Sequence, residues 1–319
     1  MNIVFMGTPD FAVKSLEKLM EYHNVIAVVS QPDKPKGRGK KLMNTPVKEF
    51  YINNSSGDIN KIYQPEKVKD AEIVGVLKSL EADLFVVVAY GQILSQEVLD
   101  IPKYGCINVH GSLLPKYRGA GPIQWSIING EEKTGVTIMY MEKGLDSGDM
   151  ILKSEIQIEE DDTYGTLHDK MSIVGAEALI KAIDLIEKGE DNAEKQNHEL
   201  STYAPMITKQ TGCINWSDTT KNIINLVRGL NPIPMAYTNY SDSDGNSNIF
   251  KICDVQEAKE YVNTKGDTGE IIDIIKQGFV VKTSDSAILV KELQAKGKKR
   301  MLCGDYLRGN PIQKNVVLN

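Results

Sequence analysis

Asn108 and His110 stand two residues apart in the run Asn108-Val109-His110-Gly111-Ser112-Leu113-Leu114-Pro115. On an extended segment, residues i and i+2 face the same side, so an amide NH₂ and an imidazole N–H converge on one atom. Two donors aimed at a carbonyl that becomes tetrahedral make an oxyanion site, where losing one donor typically costs about 10²- to 10³-fold in rate. Such stabilisation needs no metal, but acyl transfer also needs a group that manages protons. Gly144-Leu145-Asp146-Ser147-Gly148-Asp149 offers two carboxylates in a glycine-framed loop. Each of these residues alone fits a satisfied turn better than it fits catalysis. His23, His168 and His198 have no comparable company and read as structural.

The surrounding pattern supplies elements that position this chemistry. Ile3–Phe5, an amphipathic stretch through Leu16 and Leu19, and Val25–Val29 form a βαβ rhythm. Leu84–Val88 is apolar without alternation, as expected of a central parallel strand covered on both faces. Further strands are expected at Cys106–Val109 and Val136–Tyr140. A long helix is expected from an Asp162 cap, with Leu167, Met171, Val174, Ala178, Ala182 and Leu185 on one stripe and Gly189 at its end. Ligands in α/β sheets bind outside the carboxyl ends of strands, where residues 108–115 fall.

Residues 190–207 are polar and aperiodic, as in a linker. Beyond them, a helix at Thr219–Leu230 precedes short strands at Phe250–Cys253, Gly269–Ile275, Gly278–Thr283 and Ala287–Leu293, broken by Asp-Gly, Lys-Gly and Gln-Gly turns. The expected class is α/β: a Rossmann-like, mostly parallel sheet over 1–189, then a small OB-like β-barrel over 208–319. A nicotinamide dehydrogenase is excluded, because only Gly7 follows the first strand where Gly-x-Gly-x-x-Gly is required.

With 319 residues, 41% of them hydrophobic, the chain holds a sizeable core. Its N-terminus lacks the features of a signal peptide and no apolar run reaches spanning length, so a cytoplasmic protein without membrane association is expected. Cys106, Cys213, Cys253 and Cys303 are scattered, which suggests reduced thiols and neither a zinc site nor disulfides. A net charge of -6 excludes a uniformly basic nucleic-acid coat but leaves room for local patches. One such patch lies at 33–48, where Lys34, Lys36, Arg38, Lys40, Lys41 and Lys48 face only Asp33, a local balance of +5. This loop follows the second strand and so emerges at the same edge as Asn108 and His110, able to hold a phosphate backbone. A second cluster, Lys296, Lys298, Lys299, Arg300 and Arg308, lies in the expected barrel.

Taken together, Asn108-Val109-His110-Gly-Ser-Leu-Leu-Pro, Tyr117-Arg118-Gly119-Ala120 and Gly-Leu-Asp146-Ser-Gly-Asp resemble the folate-dependent formyltransferase family. Two separated motifs agree, which a single short match would not achieve. The resemblance implies a catalytic triad of Asn108, His110 and Asp146, tetrahydrofolate contacts from Ser112, Leu113, Leu114 and Pro115, and 10-formyltetrahydrofolate as formyl donor, with no metal. Phe5–Ala12, Gln31–Leu42, Asn231–Ala236 and Gly297–Met301 are similar to the branch of that family acting on charged tRNA. That likeness implies methionyl initiator tRNA as acceptor, held by Arg38, Lys40 and Lys41 and by Lys298, Lys299 and Arg300, and a monomeric enzyme. A glycinamide ribonucleotide transformylase would leave the second domain unexplained. A UDP-sugar formyltransferase would not need the basic loop, and a non-catalytic RNA-binding module would not need the converging triad.

Overall fold

A computed structural model describes residues 1–36, 41–55, 59–241 and 247–319. The chain divides into two compact units, one of residues 1–122, 133–156 and 168–204, the other of residues 123–132, 157–167 and 205–319.

Among the described residues, the first unit builds its sheet from β1 (Asn2–Gly7), β2 (Asn24–Val29), β5 (Ile62–Tyr63), β6 (Leu84–Val88), β7 (Cys106–His110), β9 (Lys133–Tyr140) and β10 (Met150–Gln157), in the order β10-β9-β7-β6-β1-β2-β5. Two short hairpin strands, β3 (Lys34–Lys36) and β4 (Lys41–Met43), pair with each other, and β8 (Arg118–Gly119) pairs in parallel with β11 (Tyr203–Ala204). β1, β2, β5, β6 and β7 run parallel and β9 is antiparallel to β7. The unbroken apolar run of β6 lies at the middle of this order and is buried throughout. Phe85 and Val87 pack with Ile73 and Leu77 of the helix Ala71–Ser79, while the alternating Leu84 and Val86 are buried on the other face. Each such side chain contributes about 1.5–3 kcal/mol relative to exposure. Because the strands are parallel, Gly7, Val29, Val88 and His110 end at one edge.

The long helix (Tyr164–Lys188) starts later than the Asp162 cap expected from the sequence. Thr163 takes the capping position, its Oγ1 accepting from Thr166 N at 3.3 Å, while the Asp162 carboxylate accepts from Glu159 N and from the Thr166 hydroxyl. Gly189, at φ +68°, ends the helix as expected, with its N–H on Ile186 O. Within the segment expected as a linker, Glu194 bridges Met150 and Tyr203–Ala204 forms β11.

In the second unit, β12 (Ala236–Ser241), β13 (Ser247–Glu257), β14 (Ile271–Ile275), β15 (Gly278–Lys282) and β16 (Ala287–Ala295) form an antiparallel sheet in the order β12-β13-β16-β15-β14, with β17 (Met301–Leu302) beside β16. The last residues tie its two ends. Val316 O and Asn315 N bond Ile271, and Asn319 bonds Asn239 in both directions. Lys314 Nζ sits 2.5 Å from Asp273 Oδ1, and that ammonium, with the Tyr261 hydroxyl, pulls the Asp273 carboxyl down to about 2. A helix at Thr220–Gly229, capped by Thr219 Oγ1 on Asn222 N, supplies Ile223 and Val227 to the core formed with Phe250, Phe279 and Val290. Cys106, Cys253 and Cys303 are buried free thiols and Cys213 is half-buried. Burial pushes Cys106 and Cys303 up to about 12, which makes them unreactive. No helix is long and apolar enough to cross a membrane among the described residues.

Candidate active site

β7 ends on His110, and its alternation puts Ile107 and Val109 into the core while Asn108 is only half-buried. The His110 ring, in a residue 5% exposed, has a polar group facing each nitrogen. Nε2 lies 2.9 Å from the Tyr117 carbonyl, which only accepts, so this nitrogen carries the hydrogen. Nδ1 faces Asp146 Oδ2 at 3.6 Å, beyond hydrogen-bond range but close enough for an ion pair with a charged imidazole. The same carboxylate oxygen accepts from Gly119 N at 2.9 Å. The structure therefore brings His110 and Asp146 together at the carboxyl edge of the sheet, with Asn108 two residues before His110 on the same strand. One detail differs from the expected chemistry: the Nε2 hydrogen is committed to Tyr117, which leaves Nδ1, on the Asp146 side, as the ring nitrogen without a hydrogen bond to the backbone. The Asn108 amide is not used by the bonds that fix the other two groups.

The tripeptide Tyr117-Arg118-Gly119 does much of this positioning. Tyr117, at φ +60°, offers its carbonyl to His110 and donates its own N–H to Thr202 Oγ1 at 2.8 Å. Gly119, at φ +111°, has no room for a side chain, since an added Cβ would lie 2.6 Å from Tyr203 Cε2 and 2.8 Å from Ala204 O. Arg118 reaches Gln196, and Gln196 reaches the Asp146 loop. Sequence reasoning named none of these as functional. The first three were visible as part of a motif, whereas Gln196, in a polar aperiodic stretch, carried no signal.

The four residues expected at the folate differ in availability. Ser112 is fully buried, its Oγ donating to Lys116 O at 2.6 Å and its carbonyl accepting from Thr137 Oγ1 at 2.7 Å. Leu114 is buried beside Met139 and Met150, with its N–H on Thr137 Oγ1. Leu113 and Pro115 are half-buried and present apolar surface next to His110 in sequence.

Of the basic residues, Arg38 and Lys40 lie outside the described residues. Lys41 is exposed on β4. Lys48 is not a free charge of the loop, because its Nζ contacts Asp33 Oδ2 at 2.5 Å and Gln64 Oε1 at 2.7 Å. Burial opposes ionisation of Asp33, but the Lys48 and Gln64 hydrogen bonds outweigh it and hold that carboxyl below its usual range. In the second unit Lys298 and Lys299 are exposed. Arg300 is engaged by Glu292 through Nε and Nη2 and by Asn231 Oδ1 at 3.2 Å. Among the described residues no group of three or more His, Cys, Asp or Glu side chains is placed to hold a metal ion.

Residues 1–183 match the formyl transferase family model and residues 206–311 the model of the formyl transferase C-terminal domain. The chain is 54% identical to a methionyl-tRNA formyltransferase of Clostridioides difficile (strain 630) over 100% of both chains. It is 51% identical to one of Clostridium acetobutylicum, covering 100% of this chain and 99% of the relative. Among solved structures, WlaRD, a sugar 3N-formyl transferase, superposes with a TM-score of 0.65 at 22% identity, covering 94% of this chain and 99% of the other. HypX from Aquifex aeolicus in complex with tetrahydrofolic acid gives a TM-score of 0.63 at 16% identity over 100% of this chain, which spans 50% of HypX. The two structural likenesses establish the fold, and the full-length identities establish the kinship: the chain belongs to the methionyl-tRNA formyltransferase family.

Proposed function

We propose that this chain transfers the formyl group of 10-formyltetrahydrofolate to the α-amino group of methionyl initiator tRNA, giving formyl-methionyl-tRNA for translation initiation. The observation that carries this reading is the His110–Asp146 pair at the carboxyl edge of the sheet, with Asn108 two residues before His110 on the same strand. An α-amino group titrates near roughly 8, and lower when its carboxyl is esterified, so much of it is already a neutral nucleophile. The amine nitrogen attacks the formyl carbon, and the carbonyl oxygen gains the charge that the Asn108 amide stabilises. The bond from the formyl carbon to N10 of the folate then breaks. The proton lost by the amine passes by way of the His110–Asp146 pair to N10, leaving tetrahydrofolate. Leu113 and Pro115 supply apolar contact for the folate, with Ser112 and Leu114 shaping the loop that presents them. Arg38, Lys40 and Lys41, with Lys298, Lys299 and Arg300, attract the tRNA phosphates; Arg300 would have to share its guanidinium with Glu292. We place the enzyme in the cytoplasm, as a monomer, with a first domain at 1–189 and a second at 208–319.

The test is formylation by the purified protein of methionyl initiator tRNA beside methionyl elongator tRNA, with 10-formyltetrahydrofolate as donor. Rapid formylation of the first and slow formylation of the second is expected. Formylation of neither overturns the assignment, and preference for a nucleotide-linked amino sugar would move the chain to the sugar-modifying branch.

A further inference from the structure

Gln196 is 5% exposed and every hydrogen-bonding position of its amide is used. Nε2 donates to the carbonyls of Asp146 at 2.9 Å and Gly148 at 2.8 Å. Oε1 accepts from Arg118 Nε at 3.0 Å and Nη2 at 2.6 Å. The reversed amide would set oxygen against two carbonyls and NH₂ against a guanidinium, so the partners fix its orientation.

What this amide holds is a strained turn. Asp146 sits at φ +47°, a left-handed conformation that is unfavourable for a non-glycine residue and is kept by its surroundings. Gly119 N fixes the carboxylate of Asp146, and Gln196 fixes its backbone and that of Gly148 two residues on. Arg118 and Gly119 are in turn set by their parallel pairing with Tyr203 and Ala204. Arg118 Nη2 lies 3.2 Å from His198 Nδ1 as well, so the guanidinium is held on two sides.

We infer that Gln196 is a positioning residue for formyl transfer: anchored by Arg118, it holds the Asp146 turn so that the carboxylate stays opposite His110. The inference rests on the reading of Asp146 as part of the catalytic centre. Misplacement of a reacting group by about 1 Å costs on the order of 10²-fold, which sets the size of the effect to look for.

The experiment compares Gln196→Glu and Gln196→Met. Glutamate has the same size but turns an oxygen toward two carbonyls; methionine removes the donors without adding repulsion. Gln196→Glu is expected to lower kcat by about 10- to 100-fold and Gln196→Met by less, with KM for folate and tRNA changed no more than about threefold. A packing role alone makes the isosteric glutamate the milder change, and that order overturns the inference. In an Asp146→Asn background both Gln196 substitutions should alter the residual rate by less than about twofold, whereas a general loss of structure lowers it as much as in the parent. A readout without turnover separates this inference from the functional one. The His110 ring resonances of Gln196→Glu should move in the direction seen for Asp146→Asn, and resonances unchanged from wild type would refute the positioning role even if the enzyme used another acceptor.

Discussion

The candidate residues in the two units are held in different ways. In the first unit, His110 is pinned by the Tyr117 carbonyl, Asp146 by the Gly119 N–H and by Gln196, and both come from segments fixed to a central sheet. In the second unit, Lys298 and Lys299 are exposed at a turn after β16, and Arg300 is occupied by Glu292 and Asn231. The proposed function accounts for this contrast by two kinds of chemistry. Bond making tolerates little misplacement, so its groups are set by backbone atoms of known geometry. Attraction of a polyanion acts over about a Debye length, so exposed ammonium groups serve it without being fixed by hydrogen bonds. On that reading, fixed geometry belongs to the first kind of site and exposed charge to the second.

Substitutions should separate the two regions by the kinetic constant they move. Asp146→Asn keeps shape and removes the charge opposite His110; a fall of about 10²- to 10⁴-fold in kcat is expected, with little change in either KM. A comparable rise in tRNA KM would show that Asp146 binds rather than reacts. Arg38→Ala and a Lys40→Ala/Lys41→Ala pair should act the other way, raising KM for tRNA by about tenfold while folate binding is spared. Lys298→Ala/Lys299→Ala should do the same more weakly, by about two- to fivefold, and each effect should shrink as salt is raised. Loss of kcat from these lysines would erase the distinction between the regions.

The smallest expected effect tests a histidine that the sequence reads as structural. His168 Nδ1 bonds Asp169 at 2.9 Å and Nε2 faces Asp10 at 3.5 Å. The Asp10 hydrogen bond raises the His168 pKa above 6.5, and the same interaction lowers that of Asp10 below 3.8. The sign follows from both shifts. The histidine's contribution is full below about 6.5 and fades as pH rises through its raised value. The aspartate's is full above about 3.8 and fades as pH falls through its lowered one. Because Asp10 is 79% exposed, solvent screens the pair, and His168→Gln should lower Tm by only about 1–2 °C. That difference should be largest near pH 5–6 and vanish in mildly alkaline solution; a Tm difference independent of pH would contradict the ionic account.

How much of this was legible in the sequence depends on the range of the interaction. β6 was legible because five consecutive apolar residues leave few alternatives, and Asn108 with His110 because the period of a strand sets two residues on one side. β12 was missed: Ala236-Tyr-Thr-Asn-Tyr-Ser is largely polar, and it becomes a strand through pairing with β13 and with the last residue of the chain. The helix expected from Asp162 begins after Thr163 because the aspartate's oxygens are taken by Glu159 and Thr166. Lys48 read as part of a basic loop, yet Asp33, fifteen residues away in sequence, compensates it in the fold. Gln196 acts across fifty residues on Asp146, and no local pattern records a contact of that span.

The central claim is that Asn108 stabilises charge that develops during formyl transfer to methionyl initiator tRNA. Its most direct test is the single-turnover rate of Asn108→Ala with both substrates saturating. A fall of about 10²- to 10³-fold, with dissociation constants for folate and tRNA within about threefold of wild type, is the predicted result. A rate within tenfold of wild type, or a loss accounted for by weakened binding, would contradict it.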